Sequence, residues 1–275
     1  MPTATPLRAI QITDFHLKTT PGSRLWGVDV DAGLSAVLAC IQERHPQPDF
    51  ILATGDLVGD EPEAYGRVRD FLEPLGVPVY CLPGNHDFPA RMAQTLRHGL
   101  VRWQRSVIAG GWQIVLLDSS VPGTPNGHLA YGELAFLDTA LVLHPKRPTL
   151  VCLHHNPVPS NTPWLDTMTV SNGPALLAVV DRYPQVQAVV WGHLHAEFSA
   201  RRGKVQLLGT PATCMQFKPR TAEPQLDDLP PGYRWFELYP DGRLETGVER
   251  IEATALIRCT ANRFNPPLKP DRTAR

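Results

Sequence analysis

Short apolar runs rich in β-branched residues alternate along this chain with longer segments whose apolar residues recur every three or four positions. The runs span Leu7 to Thr13, Phe50 to Thr54, Val79 to Leu82, Trp112 to Leu117, Thr149 to Leu153 and Ala188 to Trp191. The segments with helical spacing span Val30 to Glu43, Pro62 to Leu72, Gly132 to Leu143 and Pro174 to Tyr183. Alternation of this kind predicts a layered α/β fold with the short runs as central strands.

The later part of the chain changes character, because strand-like segments follow one another without long helical patterns between them. These segments are Glu197 to Ala200, Val205 to Thr210, Tyr233 to Leu238 and Leu244 to Ile251. Turn signals such as Arg202-Gly203 and Asp241-Gly242 join them. We therefore expect a second sheet of mostly antiparallel strands.

The domain organisation is expected to be simple, because no internal repeat, low-complexity tract or Gly/Ser linker interrupts the chain. We predict one domain over residues 1–275, with its core at about residues 7–252. The polar, proline-bearing stretch 262–275 is predicted to be a loose C-terminal tail.

Composition excludes several classes of protein. The 275 residues carry 26 basic and 27 acidic side chains, a balance that disfavours a protein that coats nucleic acid. No apolar run approaches the roughly 20 residues of a membrane helix, and the first residues lack the pattern of a secretion signal. The five cysteines are odd in number, scattered and without CxxC spacing, which a reducing compartment permits. We expect a cytoplasmic protein without nucleic-acid or membrane partners.

Polar side chains able to hold metal ions follow five of the strand-like runs. They are Asp14 and His16, then Asp56, then Asn85, His86 and Asp87, then His154 and His155, then His193 and His195. Each motif alone has an ordinary explanation, such as a helix N-cap, a turn aspartate or a solvated loop. In an α/β sheet, however, ligands bind at the carboxyl ends of the strands, so the joint occurrence at five strand ends predicts one common site.

The donor set indicates the chemistry of this site. Imidazole nitrogens mixed with carboxylate and carboxamide oxygens, without cysteine, suit Mn, Fe, Zn or Co better than Ca or an iron–sulfur cluster. The donors outnumber what one ion needs. Two ions sharing a carboxylate would lie about 3.5 to 4 Å apart, which is the geometry used for in-line attack on phosphorus.

The motifs D-x-H, G-D, G-N-H-D, H-x-x-P and G-H-x-H, in that order, resemble those of the calcineurin-like metallophosphoesterase superfamily. Within it, the chain is most similar to the bacterial cyclic AMP phosphodiesterases of class III, through stretches such as LHHNPVPS, TCMQFKPR and PGYRWFELYPDG. The similarity extends over roughly residues 7–250. It implies a four-layer α/β/β/α sandwich of two mixed sheets.

The resemblance also implies roles for single residues. The first ion is held by Asp14, His16 and His195, the second by Asn85, His154 and His193, and Asp56 bridges the two. The adjacent histidines 154 and 155 are ambiguous by themselves; the prolines that follow favour His154 as the ligand, and the role of His155 stays open. The residues expected to contact phosphate are His16, Asp56, Asn85, His86 and His195.

The mechanism that follows from these roles is a hypothesis. A hydroxide bridging the two ions, with Fe or Mn favoured over Zn or Co, is expected to attack the phosphorus of 3′,5′-cyclic AMP and release 5′-AMP. His86 is assigned as the general acid and Asp87 as its orienter or an outer partner. The candidates for the base-binding residues are Trp26, Trp164, His128 and the segment 213–218. A two-fold homodimer is the default expectation for such an enzyme.

Two alternatives stay open at this point. One is a metallophosphoesterase of broader specificity, acting on 2′,3′-cyclic nucleotides or on other phosphodiesters and monoesters, because motifs alone do not fix the substrate. The other is a noncatalytic scaffold that binds a partner in the metal groove. The intact set of seven proposed ligands and His86 disfavours the scaffold, and the balanced charge disfavours a nuclease.

Overall fold

The computed structural model describes residues 5–252. Its strands are β1 Leu7–Ile12, β2 Arg24–Leu25, β3 Val28–Asp29, β4 Phe50–Thr54, β5 Val79–Leu82, β6 Val101–Trp103, β7 Ser106–Ala109, β8 Trp112–Leu116, β9 Thr149–Cys152, β10 Val186–Trp191, β11 Phe198–Arg202, β12 Val205–Gly209, β13 Gln216–Phe217, β14 Leu226–Asp227, β15 Gly232–Leu238 and β16 Leu244–Arg250. Its helices are α1 Val30–Arg44, α2 Tyr65–Leu72, α3 Pro89–Thr95, α4 Tyr131–Leu143, α5 Pro163–Asp166 and α6 Gly173–Arg182, with 3₁₀ turns at Pro62–Ala64 and Glu73–Leu75.

Two mixed sheets of six strands each form the centre of the fold. The first sheet has the order β16-β15-β1-β4-β5-β6, and the second has the order β11-β12-β10-β9-β8-β7. In each sheet four adjacent strands run parallel: β1, β4, β5 and β6 in the first, and β12, β10, β9 and β8 in the second. Antiparallel strands complete the edges, namely β15 and β16 in the first sheet and β11 and β7 in the second.

The two sheets stack face to face, and helices cover their outer faces. Strand β4 shows how the sequence produces this arrangement, since Phe50 and Leu52 pack between the sheets. Ile51 and Ala53 point the other way and pack with residues of α1 and α2. On the far side, α4 and α6 cover the second sheet. Strands buried on both faces have continuous apolar runs, and this explains why the central strands are legible in the sequence.

The predicted four-layer sandwich is confirmed. Each of the six central strands and the four helical segments lies within two residues of its predicted ends, except that residues 62–64 form a 3₁₀ turn ahead of α2. Short elements without a strong pattern, such as β6, β7 and α3, were not predicted.

The prediction of a separate, mostly antiparallel second sheet is wrong. The four late strands are divided between the two sheets: β11 and β12 join the second sheet and β15 and β16 join the first. Strand β12 even pairs parallel to β10. Alternating apolar residues identify a strand, but they do not encode the strand with which it pairs. Here the late strands extend the edges of the two sheets that the earlier strands build.

Two further expectations concern the extent of the molecule. None of the helices in the described residues is long and apolar enough to cross a membrane. The predicted tail at 262–275 lies outside the described residues, and the assignment of residues 1–275 to one domain stays a prediction.

Candidate metal centre

The loops that follow β1 and β4 are joined by backbone hydrogen bonds. The Asp14 N–H donates to the Gly55 carbonyl at 3.0 Å, and the His16 N–H donates to the Asp56 carbonyl at 2.9 Å. Because the two strands are parallel neighbours, their carboxyl ends meet at one edge of the sheet. The loops therefore hold three of the predicted ligands side by side.

The backbone of the predicted ligands lies mostly in the left-handed region, which side chains other than glycine rarely adopt. The φ angles are 58° at Asp14, 50° at His16, 51° at Asp56, 63° at His193 and 48° at His195. Such conformations persist only where the surroundings impose them, and they concentrate at functional sites. The surrounding fold thus holds these five residues in a strained backbone conformation that fixes the positions of their side chains.

Close packing of the loops depends on two glycines. A Cβ at Gly84 would overlap the Asp56 carboxylate and lie 2.8 Å from the His154 ring. A Cβ at Gly192 would lie 2.7 Å from Asp14 Oδ2. Glycine at both positions lets the backbone after β5 and after β10 approach the two carboxylates directly.

The first group of donors surrounds the Asp14 carboxylate. His195 Nε2 lies 3.3 Å from Asp14 Oδ1 and 3.2 Å from His16 Nε2. The other ring nitrogen of His195, Nδ1, lies 2.9 Å from the Met215 carbonyl, to which its N–H donates. That hydrogen bond leaves Nε2 directed at Asp14 and His16, which is the usual orientation of a metal-ligating histidine. The Asp14 carboxylate outweighs burial and holds the pKa of His195 well above its usual range.

The second group of donors lies on the other side of Asp56. His154 Nε2 is 3.3 Å from Asp56 Oδ2, while its Nδ1–H donates to the Thr54 carbonyl at 2.9 Å. Each of the three residues predicted to hold the second ion has a buried atom without a hydrogen-bond partner in the described chain: His154 Nε2, His193 Nε2 and Asn85 Oδ1. His155 Nε2 and His16 Nδ1, beside them, are buried and unpaired as well. Buried polar atoms are rarely left unpaired, so such a group of atoms fits a bound cation.

Asp56 lies between the two groups. Its carboxylate is within 4.8 Å of donor atoms of His16 and His86, and equally within 4.8 Å of donor atoms of Asp14 and His154. Asp56 Oδ2 lies 3.7 Å from His16 Nε2 of the first group and 3.3 Å from His154 Nε2 of the second. A carboxylate in this position can be shared by two ions.

The protonation states of Asp56, His16 and His193 match those of metal ligands. Burial alone would raise the pKa of Asp56, but the imidazoles of His154 and His16 outweigh it and hold the pKa well below its usual range. Burial lowers the pKa of both His16 and His193 to about 3. Ionised carboxylates and neutral imidazoles are the forms that bind metal ions.

His154 differs from these two histidines. Burial lowers its pKa, but the facing Asp56 carboxylate outweighs this and raises the pKa to about 9. The pair therefore retains a proton at neutral pH. A cation bound beside Asp56 would replace that proton, because metal binding to such ligands releases protons.

His86 lies at the rim of the cluster. Its backbone N–H donates to Asp56 Oδ1 at 2.9 Å, and its ring lies 4.9 Å from the ring of His16. The ring Nδ1 is 2.9 Å from both carboxylate oxygens of Asp60. The His86 side chain is 37% exposed, so its Nε2 remains for a substrate.

Asp87 is not the partner of His86 in the structure. Its carboxylate accepts hydrogen bonds from the backbone N–H groups of Gly84 at 2.9 Å and Leu57 at 3.1 Å, and from the Tyr65 hydroxyl at 2.8 Å. Burial, with the nearby Asp56 charge, raises its pKa to about 7. The expected orienting role is therefore corrected, because packing turns this side chain inward, where it ties the loops after β4 and β5 together.

Asp60 is the partner that sequence reasoning missed. It is the second acidic residue of the segment GDLVGD, four positions after Asp56, and it too has a positive φ of 61°. The acidic residue is evident in the sequence, but its contact with His86 depends on a left-handed backbone conformation that no local sequence pattern predicts.

His155 packs beside the second group. Its Nδ1 lies 2.8 Å from the Ser119 hydroxyl, and its ring centre is 4.6 Å from that of His193. Burial holds its pKa well below the usual range for histidine. Its Nε2 has no hydrogen-bond partner within the described chain. His155 thus connects the cluster to the loop that contains Ser119.

The aromatic residues proposed for base binding pack mainly on one another. The Phe217 ring lies 4.9 Å from Trp164 and 5.8 Å from Trp26, and 4.8 Å from the ring of His195. Phe217 is only 8% exposed, and the cavity beside it measures about 20 Å³. His128 lies elsewhere, with its Nδ1 at 2.8 Å from the Ser171 hydroxyl.

Comparison with known proteins identifies close relatives. The sequence matches the family described as calcineurin-like phosphoesterase over residues 7–197. A 3′,5′-cyclic-nucleotide phosphodiesterase of Nostoc sp. is 39% identical over 93% of this chain and 96% of its own length. The 3′,5′-cyclic adenosine monophosphate phosphodiesterases CpdA of Pseudomonas aeruginosa and Escherichia coli K12 are 40% and 38% identical, over 88% and 93% of this chain and 89% and 94% of their own lengths.

Solved structures share the fold at much lower identity. A dimetal phosphatase from Danio rerio has a TM-score of 0.64 and 16% identity, covering 90% of this chain and 100% of its own. The purple acid phosphatase PPD1 of yellow lupin has a TM-score of 0.63 and 12% identity, covering 93% of this chain and 55% of its own. At these identities the similarity concerns the fold.

Proposed function

The chain belongs to the calcineurin-like phosphoesterase family, and on that premise we propose that it hydrolyses 3′,5′-cyclic AMP to 5′-AMP with two metal ions. The observation that carries the proposal is the convergence of carboxylates and imidazoles on Asp56, with buried donor atoms left unpaired beside it. The relatives named as cyclic nucleotide phosphodiesterases match nearly the full described chain. Their names support the substrate, and the cluster supports the chemistry.

The residues that would hold the ions fall into the two groups of the cluster. The first group is Asp14, His16 and His195, the second is Asn85, His154 and His193, and Asp56 is common to both. Two ions held there would supply a water activated for attack at neutral pH and positive charge for the phosphate oxygens. The remaining work of catalysis is positioning and proton transfer by the chain itself.

Proton transfer to the leaving group is assigned to His86. Hydrolysis of a 3′,5′-cyclic nucleotide breaks the bond between phosphorus and O3′, and the departing O3′ must gain a proton. The His86 ring is partly exposed at the rim, and its Nδ1 is held by Asp60 at 2.9 Å. Asp60 therefore positions the ring, so that Nε2 faces the leaving oxygen to which it would deliver the proton.

Contacts to the phosphate are proposed for His16, Asp56, Asn85, His86 and His195. All five belong to the cluster or its rim, and a phosphate seated against the two groups would lie beside them. The Asn85 amide and the His86 ring carry N–H donors suited to phosphate oxygens. Asp56 is included because its carboxylate lies between the two groups that would hold the ions.

Three finer statements extend the proposal. Fe or Mn is proposed as the native metal, because mixed nitrogen and oxygen donors without thiolate suit intermediate divalent ions. A cytoplasmic location is proposed, in keeping with the free thiols of the described cysteines at 40, 81, 152 and 214. A homodimer that acts on small molecules and not on nucleic acid completes the proposal.

The experiment measures release of 5′-AMP from 3′,5′-cyclic AMP by protein stripped with a chelator and reconstituted with Mn or Fe. We expect turnover that depends on added metal and is lost in Asp56→Ala. Asp70→Ala is the matched control, because Asp70 is exposed on α2, away from the cluster. It should keep wild-type turnover.

A parallel assay with 2′,3′-cyclic AMP and p-nitrophenyl esters tests the substrate. Preference for the 3′,5′ substrate supports the proposal. Turnover of only the 2′,3′ nucleotide or the esters would contradict it and would favour the alternative of a broader metallophosphoesterase with the same cluster.

A further inference from the structure

A cleft of about 520 Å³ opens directly beside His86, and Phe217 is not among the residues that line it. One wall is formed by Asn85 and His86, the second by Phe88 and the first turn of α3, and the third by the loop 120–125. Its volume lies within the roughly 300–1,000 Å³ of small-molecule sites. The cleft is continuous with the metal cluster because Asn85 and His86 belong to both.

The second wall offers an exposed aromatic ring. Phe88 is 38% exposed, whereas most large apolar side chains of the described chain are buried. Its backbone is fixed, because the Phe88 N–H donates to the Tyr65 hydroxyl at 2.9 Å and Pro89 begins α3 directly after it. An aromatic ring held open at the mouth of a catalytic site is a platform for a flat ligand.

The third wall is a short, stiff loop. Prolines occupy positions 122 and 125, and the Thr124 N–H donates to the Val121 carbonyl at 3.3 Å to close a turn. At the start of the loop, the Ser120 hydroxyl donates to Asp118 Oδ1 at 2.6 Å. A wall that is already ordered costs little conformational entropy when a ligand binds.

We propose that this cleft is the nucleoside subsite of the enzyme, with the base stacked on Phe88 and facing the loop 120–125. The proposal rests on the proposed function, since it takes the phosphate to lie at Asn85 and His86. The ribose then spans the rim at His86, and the base enters the cleft. The pocket that Phe217 lines measures about 20 Å³, too little for a base.

Stacking on Phe88 has a consequence for specificity. Every base presents a π-face, so an aromatic platform tolerates different bases. The subsite therefore accepts adenine and guanine on the same wall, and changes at Phe88 affect both nucleotides alike.

The test is binding, so that it does not depend on turnover. The dissociation constants of 5′-AMP and of inorganic phosphate are measured by calorimetry on protein loaded with Mn. In Phe88→Ala we expect the dissociation constant of 5′-AMP to rise about tenfold, as for loss of one base–aromatic contact, with that of phosphate unchanged. The same rise is expected for 5′-GMP.

A second variant guards against a change in folding at Phe88. Ala90 is exposed on α3 and lines the cleft, so Ala90→Trp should fill it and weaken 5′-AMP binding by at least tenfold without affecting phosphate. Gln94→Trp is the matched control, because Gln94 is exposed one turn further along α3 and lines a different cavity. It should bind 5′-AMP as the wild type does.

Three results would overturn the subsite. The first is equal affinity of the wild type for 5′-AMP and phosphate. The second is unchanged 5′-AMP binding in both Phe88→Ala and Ala90→Trp. The third is a loss of 5′-AMP binding confined to Trp26→Ala, which removes the exposed aromatic ring beside Phe217. Failure of the proposed function looks different, since it appears as no release of 5′-AMP from the cyclic substrate even where these binding results hold.

Discussion

The ligand cluster and the rim beside it are neighbours with opposite physical characters. Asp14 and His154 are fully buried, and hydrogen bonds to backbone carbonyls fix the rings of His154 and His195. At the rim, the side chains of His86 and Asp60 are 37% and 68% exposed. Only the cluster combines burial, left-handed backbone and unpaired donor atoms within the described chain.

The cluster and the rim are suited to different tasks, metal binding and proton transfer. A buried, strained and over-determined cluster can hold ions in one geometry, because its side chains have no freedom to follow a ligand. An exposed histidine with a single carboxylate partner can meet a substrate and exchange protons with it. We therefore expect changes in the cluster to remove the metal and changes at the rim to alter catalysis while the metal stays.

Removal of the metal should have the largest effect. Chelation should abolish turnover and lower the melting temperature by about 10 °C, the shift expected for loss of a ligand present at a thousandfold excess over its dissociation constant. The physical reason is that buried carboxylates and facing imidazole nitrogens lose their cation. Thermal unfolding with and without Mn, monitored by circular dichroism, measures this.

Asp56→Ala is the control for the chelation experiment, because a cluster that has lost the shared carboxylate should respond much less to Mn. Equal melting temperatures of stripped and loaded wild type would contradict the account of the cluster.

Loss of His86 should be the next largest effect. In His86→Ala we expect kcat for 3′,5′-cyclic AMP to fall by about 10²–10⁴, the contribution of a positioned general acid, while two ions remain bound. A p-nitrophenyl ester should be affected much less, because its leaving group departs without a proton. Steady-state kinetics on both substrates and metal analysis of the variant give the comparison. Equal losses on both substrates would rule out proton donation.

A smaller effect is expected at Asp60. Asp60→Asn keeps the shape of the side chain but weakens the hydrogen bond that holds the His86 ring in place, so kcat should fall about tenfold with bound metal unchanged. The exposed Asp241→Asn serves as the matched control. A loss as large as that of His86→Ala, or loss of metal, would place Asp60 inside the cluster instead of at the rim.

The smallest effect concerns Tyr65, whose hydroxyl donates to Asp87 and accepts from the Phe88 N–H. In Tyr65→Phe the free energy of unfolding should fall by about 1–2 kcal/mol, since two buried hydrogen bonds are lost. Metal content should stay at the wild-type value. Urea denaturation provides the measurement, with the 88% exposed Tyr131→Phe as the control that should not change. An unchanged Tyr65→Phe would contradict the linking role of the hydroxyl.

The cluster could be predicted from the sequence because each ligand directly follows a strand. The runs before Asp14, Asp56 and His154 are mainly apolar, and parallel strands bring their carboxyl ends to one edge. Position along the chain then determines position in space. The four layers follow from the same runs, as the two faces of β4 show.

What escaped prediction depends on contacts between distant segments. The pairing of His86 with Asp60 requires a left-handed turn at Asp60, and the inward orientation of Asp87 requires the hydroxyl of Tyr65. The cleft at Phe88 exists because the loop 120–125 packs opposite it. The spacing of apolar residues, every second position in a strand or every 3.6 positions in a helix, does not encode such contacts.

The most direct test of the two-ion cluster is electron paramagnetic resonance of protein reconstituted with Mn(II), alongside metal content per chain. We expect two Mn per chain and a spectrum of exchange-coupled ions, because Asp56 lies between the two groups of ligands. Asp56→Ala should lose the coupling. One Mn per chain, or two that give only the spectrum of isolated ions, would contradict a shared carboxylate at the centre of the site.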